Sequence, residues 1–145
     1  MPTPEGNKEL MARFAKEVFG NKNLDYAAEW LSEDFVEHQV FPGTTPDKRG
    51  AIDSYRIFFK ASPDMTAEIH DMVATGDRVA IRATYRGTDE GGFIPGMPAT
   101  GKHYEMGAMY VVRVNDEGKI AEHWGIVDTM GAMAQLGLLP PPPSG

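Results

Sequence analysis

Residues 120–140, IAEHWGIVDTMGAMAQLGLLP, bring together the side chains best suited to moving protons. Histidine is the side-chain type best suited to taking up and returning a proton at physiological pH, which makes His123 a candidate. Asp128, five residues later, offers a carboxylate. It stands where an apolar helix begins, so it serves equally well as a helix N-cap. His123 in turn is either an acid–base group or a strand histidine satisfied by a neighbour. Both are carried forward as catalytic candidates. Alternation along an extended strand puts His123, Gly125 and Val127 on one face and Glu122, Trp124, Ile126 and Asp128 on the other. The two candidates are therefore rivals more than partners.

Other residues would surround such a group. His38, in FVEHQV, alternates with Val36 and Val40, which predicts an inward position and a ligand-binding role. Tyr55, Phe59, Tyr85, Tyr104, Met106, Met109 and Tyr110 supply an aromatic and thioether wall, and Trp124 adjoins His123. Of these, Tyr55, Phe59, Met106, Met109, Tyr110 and Trp124, with His38, form the expected substrate-binding set. His70 and His103 share faces with polar neighbours and read as solvated. Arg82 stands on a small-residue face and reads as one half of a surface ion pair.

Several chemistries are excluded or disfavoured. The 145 residues contain no cysteine, which rules out disulfides and thiol catalysis. The 4 histidines lie far apart, with no His–His or His–carboxylate pair at metal-ligand spacing, so no metal site is expected. A formal net charge of −7 without a basic cluster argues against nucleic acid or an anionic membrane as partner. GMPATGK, from Gly96 to Lys102, begins like a phosphate-binding loop. That loop requires a hydroxyl residue next and then a helix, whereas His103 and a strand follow. Residues 1–20 lack an unbroken apolar run, and the expected location is cytoplasmic.

The elements that must position these residues follow from periodicity and punctuation. Leu10, Met11, Phe14, Ala15, Val18 and Phe19 recur at helical spacing behind a Thr3–Pro4 start. A short helix around Leu24 to Leu31 has Asn23 as its cap. A third, carrying Ile52, Tyr55, Phe58 and Phe59 on one face, begins near Thr45–Pro46 and ends at Ser62–Pro63. Four strands then alternate in MTAEIHDMVAT, RVAIRATYRG, HYEMGAMYVVRV and KIAEHWGIV. The short turns at Gly76–Asp77 and Asn115 to Gly118 force antiparallel pairing. The second of these turns, taken as the register, sets His123 opposite Tyr110. A last helix runs from Asp128 to a Gly137 stop. The loop TDEGGFIPGMPATG carries Phe93, Ile94 and Met97, either as a lid or as a plug for one end of the fold. Residues 1–139 read as one α+β domain, and 140–145 as a proline-rich tail without a packed structure.

AIDSYRIFFKASPDMTAEIHDMVATGDRVAIRATYRGT, GMPATGK and GKIAEHWGIVDTMGAMAQLGLLP resemble, in order and spacing, the SnoaL-like polyketide cyclases of the NTF2-like superfamily. The likeness runs from about residue 7 to residue 140. It implies an NTF2-like, cystatin-like cone in which helices pack on a curled antiparallel sheet around an apolar pocket, often dimeric through the sheet. Characterised members close polyketide rings by intramolecular aldol chemistry, with acid–base side chains and neither metal nor cofactor. Their acid/base is an aspartate on the last strand paired with a histidine on the strand before. His123 stands near that aspartate's place, and no histidine faces it, so the family's pair is not reproduced. The family often has a cavity-facing histidine in the segment that holds His38. The expected function is cofactor-free acid–base chemistry, such as aldol-type cyclisation, on an apolar carbonyl-containing small molecule. A non-catalytic binding domain, or a hydrolase or isomerase of the same fold, stays open beside it. The expected partners are that small molecule and a second copy of the chain.

Overall fold

The computed structural model describes residues 2–140 and 143. The helices form where the caps lie. Thr3 accepts the Gly6 N–H at the start of α1 (Pro4–Phe14), and Asn23 accepts the Tyr26 N–H at the start of α2 (Leu24–Trp30). The third helix, α3 (Lys48–Ala61), differs from expectation at its start. Its cap is Asp47, whose carboxylate accepts the Gly50 N–H at 2.9 Å, while the Thr45 hydroxyl donates to Asp47. Beyond Phe14, α1 widens into a π-helical turn over Ala15–Gly20. The wider turn sends both Ala15 and Phe19 toward the interior, where each lines a cavity.

Among the described residues there are five strands, not four. They are β1 (Leu31–Glu37), β2 (Thr66–Thr75), β3 (Arg78–Thr88), β4 (His103–Val114) and β5 (Ile120–Val127), in the order β1-β5-β4-β3-β2. The last four make the expected antiparallel meander. The short segment holding Glu37 adds itself as a parallel edge strand on β5, pairing Val36 with Glu122 and Glu37 with His123. Such a pairing needs a long crossover, and no local pattern announces it.

Two irregularities bend the sheet. In β2 the register slips between Ile69 and Asp71, so the inward positions change from Ala67 and Ile69 to Met72 and Ala74. Val73 is thereby turned out. In β5 the register slips beside Ala121, between the pairs Arg113–Glu122 and Val114–Ile120. Bulges of this kind raise local twist and curl a sheet around its apolar face. β3 keeps strict alternation, with Val79, Ile81 and Ala83 buried.

The three N-terminal helices cover the concave face and build the α+β cone with an open five-stranded sheet. α4 (Thr129–Gln135) lies along β4, where the Gln135 carboxamide both accepts from and donates to the Glu105 backbone. Gly137, at a φ of 72°, ends it in the left-handed turn that a glycine adopts without strain. The loop after β3 is a plug. Asp89 is wholly buried and accepts from the Phe93 N–H, the Thr100 N–H and the Thr100 hydroxyl. Burial opposes its ionisation, but those donors hold its carboxyl below the usual range. So anchored, the loop lays Phe93 on Tyr104 with ring centroids 4.4 Å apart. Most of the expected tail, residues 141–142 and 144–145, lies outside the described residues. Among the described residues no helix is long and apolar enough to cross a membrane.

Candidate active site

Between the helices and the concave face lies a cavity of about 370 Å³. Phe14 and Phe19 come from the first helical segment, Tyr55 and Phe58 from α3, and Phe93 and Ile94 from the plug loop. The sheet contributes Tyr85, Met106, Tyr110, Val112, His123 and Val127. The volume lies within the range of small-molecule sites. Among the described residues no lysine or arginine lines it.

His123 faces this space with Glu37 beside it, Nδ1 lying 2.6 Å from Glu37 Oε1. Both side chains are mostly buried, with 21 % and 13 % of their surface exposed. The parallel register produces the pair, because Glu37 and His123 are direct neighbours across the β1–β5 seam and point the same way. Glu37 is itself held in place. Its Oε1 accepts the Gln39 N–H at 2.9 Å, and its own N–H donates to Pro46 O. The second titratable group that the sequence did not identify beside His123 is thus a glutamate from β1. Its signal was present in FVEHQV, where alternation with the buried Phe35 turns Glu37 inward.

Three tyrosines complete the polar part of the wall. Tyr110 packs its ring 5.3 Å from the His123 imidazole, and Tyr85 lines the same cavity. Burial pushes the Tyr110 hydroxyl up to about 12. It also pushes Tyr85 and Tyr55 well above the ordinary tyrosine value, and the Glu37 charge adds to the effect on both. All three stay protonated at neutral pH and are hydrogen-bond donors in an apolar surrounding.

The expected site residues divide between two faces. His123, Tyr55, Met106 and Tyr110 line the cavity. Met109 does not, because it neighbours Tyr110 on β4 and alternation turns it outward, 65 % exposed. Trp124 is outside for the same reason. His38 also corrects its expected place. Once Glu37 points inward, His38 must point outward, where it stacks on Trp124 with centroids 4.9 Å apart and interplanar angle 4°. Phe59 lies off the cavity against Phe19, with Lys22 over its ring, and Phe58 takes the lining position. Asp128 caps α4 through the Gly131 N–H at 2.8 Å and is not among the lining residues. The predicted opposition of His123 and Tyr110 also fails. The turn closes between Asn115 and Lys119, and the bulge at Ala121 adds a further residue. His123 consequently faces Val112, and Tyr110 faces Gly125.

The remaining groups have structural partners. Arg82 pairs with Asp71 at 2.6 Å, as expected of a surface ion pair, and His70 bonds the Thr84 hydroxyl. No group of three or more histidines, aspartates or glutamates is placed to hold a metal among the described residues.

Several solved structures share this fold. IdmH of Streptomyces antibioticus, a polyketide-cyclase candidate, is 35% identical with a TM-score of 0.78, over 90% of this chain and 98% of its own. TsrD of Streptomyces laurentii has a TM-score of 0.85 at 24% identity, over 96% and 100% of the two chains. A protein of ketosteroid isomerase-like fold from Catenulispora acidiphila shares the fold at 17% identity and a TM-score of 0.72, over 90% and 94%. A search of curated proteins returns no match. The family model for SnoaL-like polyketide cyclases matches residues 9–136, and the chain belongs to that family.

Proposed function

We propose that the protein is a cofactor-free acid–base catalyst acting on an uncharged, mostly apolar carbonyl compound, with His123 as the base and acid. The observation that carries this reading is the placement of His123 against Glu37 inside an apolar cavity that tyrosine hydroxyls share. The imidazole would take a proton from the carbon next to a carbonyl, and the C–H electrons would pass to the carbonyl oxygen as an enolate. The enolate carbon would then attack a second carbonyl of the same molecule. A C–C bond forms, a C=O π bond breaks, and the alkoxide recovers the proton from the imidazolium. Atoms and charges balance without a co-reactant. A base placed in this way contributes roughly 10²–10⁴-fold to such a step. The Tyr110 hydroxyl is the donor best placed to receive the enolate oxygen.

Exchange of the α-protons of 1-tetralone in heavy water, followed by NMR, tests the reading without knowledge of the physiological substrate. Wild-type protein should accelerate exchange over buffer, and His123→Ala should return it to the buffer rate. A His123→Ala protein as fast as wild type removes His123 from the role. Binding of 1-tetralone without any acceleration supports a non-catalytic binding domain instead.

We further propose a homodimer in the cytoplasm, formed through the outer face of the sheet. Met109 and Ile126 are register partners there, 65 % and 78 % exposed, and the exposed Val73 lies on the same outer surface. Exposed apolar side chains gathered in one patch mark interaction surfaces.

A further inference from the structure

We infer that Glu37 is a positioning residue that keeps the proton of His123 on Nδ1 and its lone pair on Nε2, and that Gly125 makes the room in which the Nε2 edge of the imidazole lies. This assignment rests on the acid–base reading above and specifies which nitrogen reacts.

The geometry has two parts. On one edge of the imidazole, Nδ1 stands 2.6 Å from a carboxylate oxygen that is already fixed by the Gln39 N–H. A carboxylate only accepts, so Nδ1 must carry hydrogen, and the neutral ring then has its lone pair on Nε2. Free histidine side chains favour the opposite tautomer, so the choice is imposed by Glu37. On the other edge, the imidazole lies over Gly125. A Cβ at position 125 would stand 2.8 Å from His123 Cε1 and 3.1 Å from Nε2, and it would also collide with Gln39 Oε1. Any side chain larger than hydrogen would therefore cover the nitrogen that holds the lone pair. Gly125 has ordinary backbone angles and is not needed for a turn. It lies in the middle of β5, opposite Tyr110, where a glycine weakens the strand and marks a close approach. The approach it permits is that of the imidazole edge and the Gln39 carboxamide, which together occupy the space a Cβ would take.

Two measurements read the imidazole itself and need no substrate. Nitrogen-15 NMR of histidine-labelled protein at neutral pH, with His123 assigned by loss of its signals in His123→Ala, reports the tautomer. Wild type should show a protonated Nδ1 and an unprotonated Nε2. Glu37→Gln keeps an acceptor and should retain that pattern, whereas Glu37→Leu should shift His123 toward Nε2–H with the other three histidines unmoved. A wild-type His123 protonated on Nε2, or a Glu37→Leu spectrum unchanged from wild type, overturns the positioning role. Diethyl pyrocarbonate acylates the free imidazole nitrogen, and peptide mass spectrometry gives the rate at each histidine. Gly125→Ala should slow acylation of His123 severalfold relative to His70 and His103. Gln39→Ala, which removes the other cover, should speed it. An unchanged rate in both variants overturns the role of Gly125. If these results hold while His123→Ala still exchanges 1-tetralone like wild type, the inference stands and the catalytic reading falls. The reverse pattern separates them the other way.

Discussion

His38 Nε2 lies 2.6 Å from Glu122 Oε2 on the outer face of the same β1–β5 seam that Glu37 and His123 close from within. The four residues are two consecutive pairs, Glu37–His38 and Glu122–His123, joined crosswise by parallel pairing. Each strand therefore presents one histidine and one glutamate, to opposite faces. The outer pair is tied further to Arg113, whose Nε donates to Glu122 Oε1 at 2.9 Å. Structure and chemistry divide along this seam, the outer pair bracing an edge strand and the inner pair facing the cavity.

The His38 hydrogen bond, and then the Arg113 contact, hold the Glu122 carboxyl below its ordinary value of 4.5. A lowered native value means that Glu122 stabilises the fold above the unfolded value, and that this contribution disappears as pH falls through the native value. Glu122→Gln should therefore lower the Tm at neutral pH and flatten its decline between about pH 5 and pH 3. Thermal melts across that range check this, and an unchanged slope would leave the outer pair without a role in stability.

Burial raises Tyr55, Tyr85 and Tyr110, the last to about 12. A raised native value gives stability that is complete below the unfolded value and is lost as pH rises through the native one. Near-ultraviolet absorbance should show these tyrosines silent at about pH 10–11, then ionising together with unfolding. Tyr110→Phe removes its buried hydroxyl and should cost about 1 kcal/mol in urea denaturation. If Tyr110 donates to the enolate oxygen, 1-tetralone exchange should fall as well.

Asp128→Ala removes the cap of α4 and should destabilise the protein by about 0.5–2 kcal/mol. Exchange of 1-tetralone should not change, because the carboxylate does not line the cavity. A large loss of exchange at intact stability would return Asp128 to the candidates for catalysis.

Met109→Glu places a charge in the exposed apolar patch of the outer face, opposite Ile126. Sedimentation velocity should show wild type as a dimer and the variant as a monomer that still exchanges 1-tetralone. A monomeric wild type removes the proposed interface outright.

The local features of this chain were legible because they depend on near neighbours. Asn23 and Asp128 cap helices where the sequence placed them, Gly137 ends α4, and β3 alternates as written. The apolar lining was legible in part. Tyr55, Met106 and Tyr110 reached the cavity, but including Met109 beside Tyr110 contradicted the period of two that defines a strand.

By itself, then, the sequence determined the kinds and order of most elements, the chemistry available, and the face that His123 shares with Gly125 and Val127. Caps, periodicity and turn residues act within a few positions, so they can be read along the chain. Tertiary structure alone decided the partner of His123, a glutamate 86 residues away. It also decided the outward turn of His38 and the facing of Gly125 by Tyr110. Those relationships depend on a parallel edge pairing across a long crossover and on a bulge at Ala121 that moves the register. Both are settled by which arrangement closes the sheet over its apolar face, a property of the whole chain that no short window contains.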